Sequence, residues 1–220
     1  ALMVRQDLLI KILRTIRTKL PWVTRVGVYT NAKSIRRKSP EELRELYEHG
    51  LKIAYMGLET GDDVTLTNIH KGCDSQRMIE MGKKLRNSGM KLSVTVLLGI
   101  GGRERSHIHA RETGRVLSAI DPEYVGALSL MLTPGTPLFD SANRGDFVLP
   151  DAMEMLEELA IMIENTNLTD GYFHANHASN YLPIKAKLPK DKARTLKNTN
   201  NGIHSNCVYS IFDTPLLAAG

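Results

Sequence analysis

Tyr55-Met56-Gly57-Leu58-Glu59-Thr60-Gly61 and, further along, Val96-Leu97-Leu98-Gly99-Ile100-Gly101-Gly102 are two versions of one unit. Each is an apolar run that ends in a glycine-bearing turn, and each precedes a segment whose apolar residues recur at helical spacing. After the first comes residues 74–88, with Met78, Ile79, Gly82 and Leu85 on one side and Gly89 as terminator. After the second comes residues 104–120, with Val116, Leu117 and Ile120 as its buried end. Strand, turn and helix repeated in this order imply a parallel sheet. Parallel α/β barrels build their active sites from the loops after the carboxyl ends of the strands. Glu59 and the glycine cluster at residues 99–102 therefore read as two walls of one site.

The pattern continues outward. Leu8, Leu9, Ile12, Leu13, Ile16 and Leu20 predict an amphipathic helix over residues 5–20, stopped by Pro21. Residues 23–29 predict a short strand entering a polar turn at residues 30–33. Ser39, Pro40 and Glu42 make a capping-box start for the next helix, and Gly50 is its stop. Residues 53–58 are the following strand. Residues 92–98, nearly all apolar, predict a strand buried on both faces, and residues 124–132 another buried strand. Residues 134–137, Pro-Gly-Thr-Pro, make a rigid loop; Met155, Leu156, Leu159 and Ile163 mark a helix; residues 172–175 are a weak last strand. Five strands are too few for a closed eight-stranded barrel, which leaves an open sheet or an incomplete barrel. Residues 1–197 are expected to hold this fold with its carboxyl-terminal extension. Residues 198–220, opening with Asn-Thr-Asn-Asn-Gly, are expected to be an irregular tail.

Composition narrows the class. The 220 residues are 42 % hydrophobic, enough for a core, and no run approaches the length of a membrane span. No signal-peptide pattern is visible, so the expectation is a cytoplasmic protein with no membrane partner. The abrupt opening gives the further expectation that these residues are cut from a longer chain. Cys73 and Cys207 fit neither a disulfide framework nor a zinc spacing. A net charge of +5 permits a nucleic-acid partner, while the clusters at residues 33–38 and 185–197 read as solvated faces.

Each candidate site residue has two readings. Glu59, between Gly57 and Gly61, offers a carboxylate to ribose hydroxyls or a ligand amine, or it caps the next turn. Gly99, Gly101 and Gly102 hold a phosphate or lie against an adenine, or they make a plain tight turn; they match neither a dinucleotide fingerprint nor a P-loop. His107 and His109 are two apart on a helix and so make a poor metal pair, which leaves a solvated or capping role. His174 and His177 sit in a polar, aromatic run at residues 173–181, a structural or substrate-facing loop.

Three of these segments, in order and spacing, resemble the radical S-adenosylmethionine (radical SAM) superfamily. They are residues 55–61 with the later Lys71-Gly72, residues 96–102, and residues 130–138 with their Pro-Gly-Thr-Pro-Leu. The resemblance extends over roughly residues 8–192; His109-Ala110 with Thr113, and residues 176–181 followed by 188–192, are similar to one subgroup of poorly characterised members. It implies a partial (β/α) barrel that binds S-adenosylmethionine at the carboxyl ends of its strands. In such enzymes a [4Fe-4S] cluster donates an electron, and the resulting 5′-deoxyadenosyl radical abstracts hydrogen from a substrate. By position the resemblance assigns Glu59 to the ribose or methionine part of the cofactor and Thr95 to the adjoining strand. It assigns Gly99 and Gly101 to the room for adenine, Met131 and Leu132 to adenine contacts, and Tyr29 and Asn31 to a polar contact from an earlier strand.

The family's Cys-x-x-x-Cys-x-x-Cys cluster loop and its Gly-Gly-Glu-like turn have no counterpart in these residues. Cys73 and Cys207 cannot replace three closely spaced thiolates, so no metal ligand is assigned. A fragment of a longer enzyme, itself catalytically silent, is the economical expectation; a degenerate relative is the other. Missing strands would expose a sheet edge and favour a homodimer. The substrate stays open between a small molecule and tRNA. Alternatives are an oxygen-independent coproporphyrinogen III oxidase-like enzyme, a tRNA-modifying enzyme, a non-redox enzyme acting on a phosphorylated metabolite, and a non-catalytic barrel domain that only binds.

Overall fold

A computed structural model of the chain describes residues 2–205. Cys207 and the rest of the expected tail lie outside the described residues. The chain order is α1 (Gln6–Lys19), β1 (Val26–Thr30), α2 (Ala32–Arg36), α3 (Pro40–Glu48), β2 (Leu51–Glu59), α4 (Asp63–Asn68), α5 (Ser75–Asn87) and β3 (Lys91–Leu98). It continues with α6 (Gly102–Ile120), β4 (Tyr124–Ser129), α7 (Pro137–Asn143), α8 (Ala152–Asn165), β5 (Gly171–His174), β6 (Lys185–Leu188) and α9 (Lys192–Ser205). No helix among these residues is long and apolar enough to cross a membrane.

The six strands form one sheet in sequence order. β1 to β5 pair in parallel, and β6 turns back antiparallel to β5. Crossovers between parallel strands are right-handed, so strands laid down in strict order put every crossover helix on the same face. An open doubly wound sheet reverses its order and carries helices on both faces. This one is therefore an incomplete parallel (β/α) barrel. β1 is its edge strand.

Burial follows from that topology. On the helix side Val28, Met56, Leu58, Val94, Val96, Val125 and Phe173 are buried beneath α3, α5, α6 and α8. On the other side Tyr29 and Tyr172 are exposed and Tyr55, Ser93, Thr95, Leu97 and Leu128 are half-buried. The expectation that residues 92–98 are buried on both faces is thus corrected: β3 alternates, and its second face, Ser93, Thr95 and Leu97, is half open.

The capping signals act as the sequence implies. Ser39 accepts the Glu42 N–H, the Ser39 N–H donates to Glu42 Oε2 at 2.7 Å, and Pro40 opens α3. Gly50 ends that helix with φ 107° and Gly89 follows α5 with φ 94°. The short helices α2, α4 and α7 stand where the sequence pattern implies turns and a rigid loop. Asn31 and Asp62 cap the first two, and Thr136 accepts the Phe139 N–H to cap the third. β6 and α9 are further corrections. Residues 198–205, expected to be irregular, continue α9, because Thr195 and Thr199 bury against α8 and their hydroxyls donate to carbonyls four residues back.

Two contacts fasten the β2 turn to α6. Gly61 packs so closely that a Cβ there would lie 2.3 Å from the Glu112 carbonyl oxygen, and its N–H donates to Thr113 Oγ1 at 2.9 Å. Asp62 accepts two parallel bonds from Arg105, at 2.7 and 2.8 Å, while it caps α4 through the Thr65 N–H. Burial alone would raise the Asp62 carboxyl, but Arg105 and Thr65 outweigh it and hold the group down at about 2, from an ordinary 3.8.

Gly61→Ala should cost about 1–3 kcal/mol in urea denaturation, because the new methyl must push β2 and α6 apart. Gly126→Ala in β4, whose Cβ would meet nothing within 4 Å, should leave the midpoint unchanged or slightly raised. Asp62→Asn should lower stability at pH 7. A depressed carboxyl contributes stability above its unfolded value and loses it as pH falls through its folded one, so the gap between variant and parent should close between pH 3.8 and about 2. Urea midpoints across that range give the check.

Candidate functional site

Because the strands are parallel, Glu59, Leu98, Ser129 and His174 all end at one edge. Register sets the neighbours: Gly57, Thr95, Gly126, His174 and Lys185 fall in one row across β2 to β6. This row faces the side of the sheet without helices. Thr95 stands between two glycines: the space above Gly57 is taken by the Glu59 carboxylate and Lys71, and that above Gly126 is open.

Glu59 closes β2 in a left-handed conformation, φ 65°, after a break in register beyond Gly57. A non-glycine residue rarely adopts this conformation. It turns the carboxylate back over Gly57, where any Cβ would lie 2.3 Å from Glu59 Oε1. The same oxygen pairs with Lys71 Nζ at 2.8 Å, both side chains about one-fifth exposed. The Gly-x-Glu spacing thus has a steric cause, and the acid is an ion-pair partner rather than a turn cap.

The other expected residues divide. Tyr29 lies on the same open face, 80 % exposed, with its ring 5.2 Å from that of Tyr55. Asn31 is committed to the capping box of α2, its Oδ1 accepting the Ser34 N–H at 3.0 Å. Met131 is exposed and Leu132 half-buried in the loop after β4, which the Leu130 N–H ties to the Leu98 carbonyl at 2.9 Å. Gly99 and Gly101 turn toward the helices. A Cβ at Gly99 would meet Met155 Cε at 2.8 Å and one at Gly101 would meet His109 Cβ at 2.9 Å. The chain's own side chains occupy the room those glycines leave.

Beneath the edge lies a polar network with no exposed surface. Glu158 on α8 accepts the Gly99 N–H and the Ser106 hydroxyl, each at 2.6 Å. His109 Nδ1 is 2.7 Å from Thr60 Oγ1; its Nε2 is 3.2 Å from Glu158 Oε1, off the hydrogen-bond direction. His109 is therefore a fully buried link between both strand-end turns, not the solvated or capping residue its spacing suggests. His107 is exposed, 3.4 Å from Glu157. The loop after β5 is docked: Ser179 accepts the Ser129 N–H, and Asn180 accepts the Ser129 hydroxyl while donating to the Ala127 carbonyl. His177 Nδ1 accepts the Ser179 N–H at 3.1 Å and lies 2.9 Å from the Ser179 hydroxyl. His174 reaches the open face with Nε2 buried and unpartnered; burial first, then Lys185, lowers its pKa.

Sequence reasoning passed over Glu158, Asp62 and Arg105, and named Lys71 only within a motif. Glu158 did carry a signal: it is a lone acid inside the apolar stripe of Met155, Leu156, Leu159, Met162 and Ile163. Among the described residues Cys73 is the only cysteine, and no three His, Cys, Asp or Glu side chains gather as a metal site.

The family model of the radical SAM superfamily matches residues 3–112. An uncharacterized protein of Methanocaldococcus jannaschii is 24 % identical over 168 residues, which is 76 % of this chain and 48 % of that protein. Elp3 of the archaeon Methanocaldococcus infernus, lacking its first 46 residues, superposes with a TM-score of 0.56 at 13 % identity, over 84 % of this chain and 42 % of that one. Coproporphyrinogen III oxidase (HemN) of Escherichia coli, a radical SAM enzyme, gives 0.57 at 12 % identity, over 73 % and 36 %. At such identities the two structures show a shared fold. The chain spans about half the length of the curated relative it matches. The matched half of the sequence runs from α1 into α6 and includes β2, β3 and the turns that close them, and on that ground the chain belongs to the radical SAM superfamily.

Proposed function

We propose that this chain forms the S-adenosylmethionine-binding part of a radical SAM enzyme, with the cofactor held along the open edge of β2 to β4. The observation that carries the reading is the Glu59–Lys71 pair over Gly57. S-Adenosylmethionine presents ribose hydroxyls, an ammonium and a carboxylate. The Glu59 carboxylate suits the hydroxyls or the ammonium, and the Lys71 ammonium suits the carboxylate. Thr95 adds a hydroxyl on the same open face, Met131 and Leu132 offer apolar surface to adenine, and Tyr29 lines the far side. When bound and reductively cleaved, this cofactor supplies a radical that abstracts hydrogen.

A [4Fe-4S] cluster is a different matter. It needs three close thiolates, and the described residues offer one cysteine whose thiol burial raises and Met78 neighbours at 3.3 Å. The residues in hand do not fit that group, so no step is routed through it. The role argued for this chain is to bind and orient the cofactor. Gly99 and Gly101 support the reading only indirectly, by letting the β3 turn sit tightly against α6 and α8.

Glu59→Ala in the cluster-loaded full-length protein should weaken S-adenosylmethionine binding ten- to a hundredfold, since a charge-assisted hydrogen bond is worth about 1.5–3 kcal/mol. Isothermal titration, with far-UV circular dichroism to establish folding, measures it; unchanged affinity in a folded variant removes Glu59 from the cofactor site. The 220-residue chain, reconstituted anaerobically with iron and sulfide, should retain no stoichiometric cluster. Iron and sulfide analysis decides that point, and a bound [4Fe-4S] cluster overturns it.

A further inference from the structure

Beside the strand edge, α2 and the loop from α4 to α5 enclose an open cleft of about 600 Å³. Lys33, Arg36, His70, Lys71 and Arg77 line it, with Asp74 as the one acid. The acid is engaged already, capping α5 through the Arg77 N–H at 2.7 Å. Lys71 holds Glu59 and Arg77 lies 3.5 Å from Glu80, whereas Lys33 and Arg36 have no ion-pair partner among the described residues. Four permanent cations therefore line one concavity, and two of them, Lys33 and Arg36, have no counter-charge among the described residues.

The walls are fixed before any ligand arrives. Asn31 and Ser34 close a capping box on α2, and Thr30 Oγ1 lies 2.8 Å from Ser34 Oγ. Lys84 of α5 donates to the carbonyls of Ile35 and Lys38 at the other end of α2. Across the cleft, Asp63 of α4 takes the Ser75 N–H at 2.7 Å and locks the loop onto α5. Charge is also unevenly distributed. Residues 1–50 hold eleven Lys and Arg against five Asp and Glu, while the whole chain holds 29 against 24, so the surplus resides in this part of the sequence.

We infer that the cleft is a phosphate-binding site, for the phosphate groups of a polyanionic ligand. A single carboxylate would leave one of Lys33 and Arg36 without a counter-charge, whereas phosphates, with more charge and more acceptor oxygens, match both, and a guanidinium takes phosphate oxygens in pairs. The site is polar and preformed, which suits an anion that cannot bring apolar surface to bury. Lys71 belongs to both the cleft and the Glu59 pair, so a ligand anchored here by phosphate reaches the strand edge with its remaining part. That last consequence, a substrate anchor, rests on the cofactor reading above; phosphate binding itself does not.

The test uses the full 220-residue chain without cofactor or cluster, so its result is independent of that reading. The probes are a fluorescein-labelled 20-nucleotide oligouridine, followed by anisotropy from 50 to 200 mM salt, and tripolyphosphate, followed by calorimetry. Lys33→Ala with Arg36→Ala should weaken binding at least tenfold. For the oligonucleotide it should also reduce the slope of log affinity against log salt by about 1.4, the share of two phosphate contacts on a single strand. Arg144→Ala with Arg194→Ala removes equal charge elsewhere and should change affinity less than twofold. Cleft-dependent binding of the oligonucleotide alone supports a nucleic-acid backbone as source, and cleft-dependent binding of tripolyphosphate supports a free nucleotide or polyphosphate. The inference is overturned if neither probe binds below 1 mM, or if the control pair loses as much as the cleft pair.

Discussion

A carboxylate with no exposed surface, Glu158, sits where α6, α8 and the turn after β3 meet, and the edge of the sheet depends on how its charge is met. A buried carboxylate left alone would cost several kcal/mol. Here one oxygen takes the Gly99 N–H and the other the Ser106 hydroxyl, and His109 approaches from the β2 side. His109 in turn meets Thr60, the residue after Glu59. The two strand-end turns, forty residues apart in sequence, are thereby referred to one group. Their relative position is set from beneath by polar contacts of fixed length, which apolar packing alone would not specify so narrowly. Gly99 and Gly101 make sense in that frame: they are small because α6 and α8 must come close enough to deliver those donors and acceptors.

Much of the fold was legible because the strongest signals are local. The capping box at Ser39, the stop at Gly50 and the apolar runs of β2, β3 and β4 act over a few residues each, and each forms its element, though β4 ends at Ser129 rather than 132 and, like β3, is buried on one face. What escaped was decided by tertiary contact. Lys185-Ala186-Lys187-Leu188 has the alternation of a strand, but at four residues it needs β5 beside it. The Asn- and Thr-rich end of α9 has weak helix propensity and is helical where Thr195 and Thr199 bury against α8. Partial burial of β3 was misjudged for a different reason. Ser93 and Thr95 alternate with Leu92, Val94 and Val96, the period of a strand covered on one face, and the apolar residues around them mask it.

The geometry of the candidate site was legible only in part. Glu59 closes β2 on the open face, in register with Val96 and folded back over Gly57. The glycines of the second turn were read as space for a ligand, yet their missing side chains accommodate Met155 and His109. From sequence, a glycine that admits a ligand and one that admits a neighbouring helix look alike. Lys71 was hidden for another reason: its partnership with Glu59 spans twelve residues and depends on the loop bringing it back over the sheet.

Two ion pairs flank the β2 turn, and they differ in how they are held. Asp62 and Arg105 meet through two bonds, with the Asp62 side chain 6 % exposed, and they tie α4 to α6. Glu59 and Lys71 meet through one contact on the open face, their side chains 23 % and 19 % exposed against 29 % for Arg105. Glu59 and Lys71 share one contact where Asp62 and Arg105 share two, which leaves the Glu59–Lys71 pair the more readily rearranged of the two. Glu59 also holds a left-handed backbone, which costs an ordinary residue about 1 kcal/mol or more. Its side chain lies outside the core, folded back over Gly57, so the left-handed turn serves to place the carboxylate on the open face rather than to pack it.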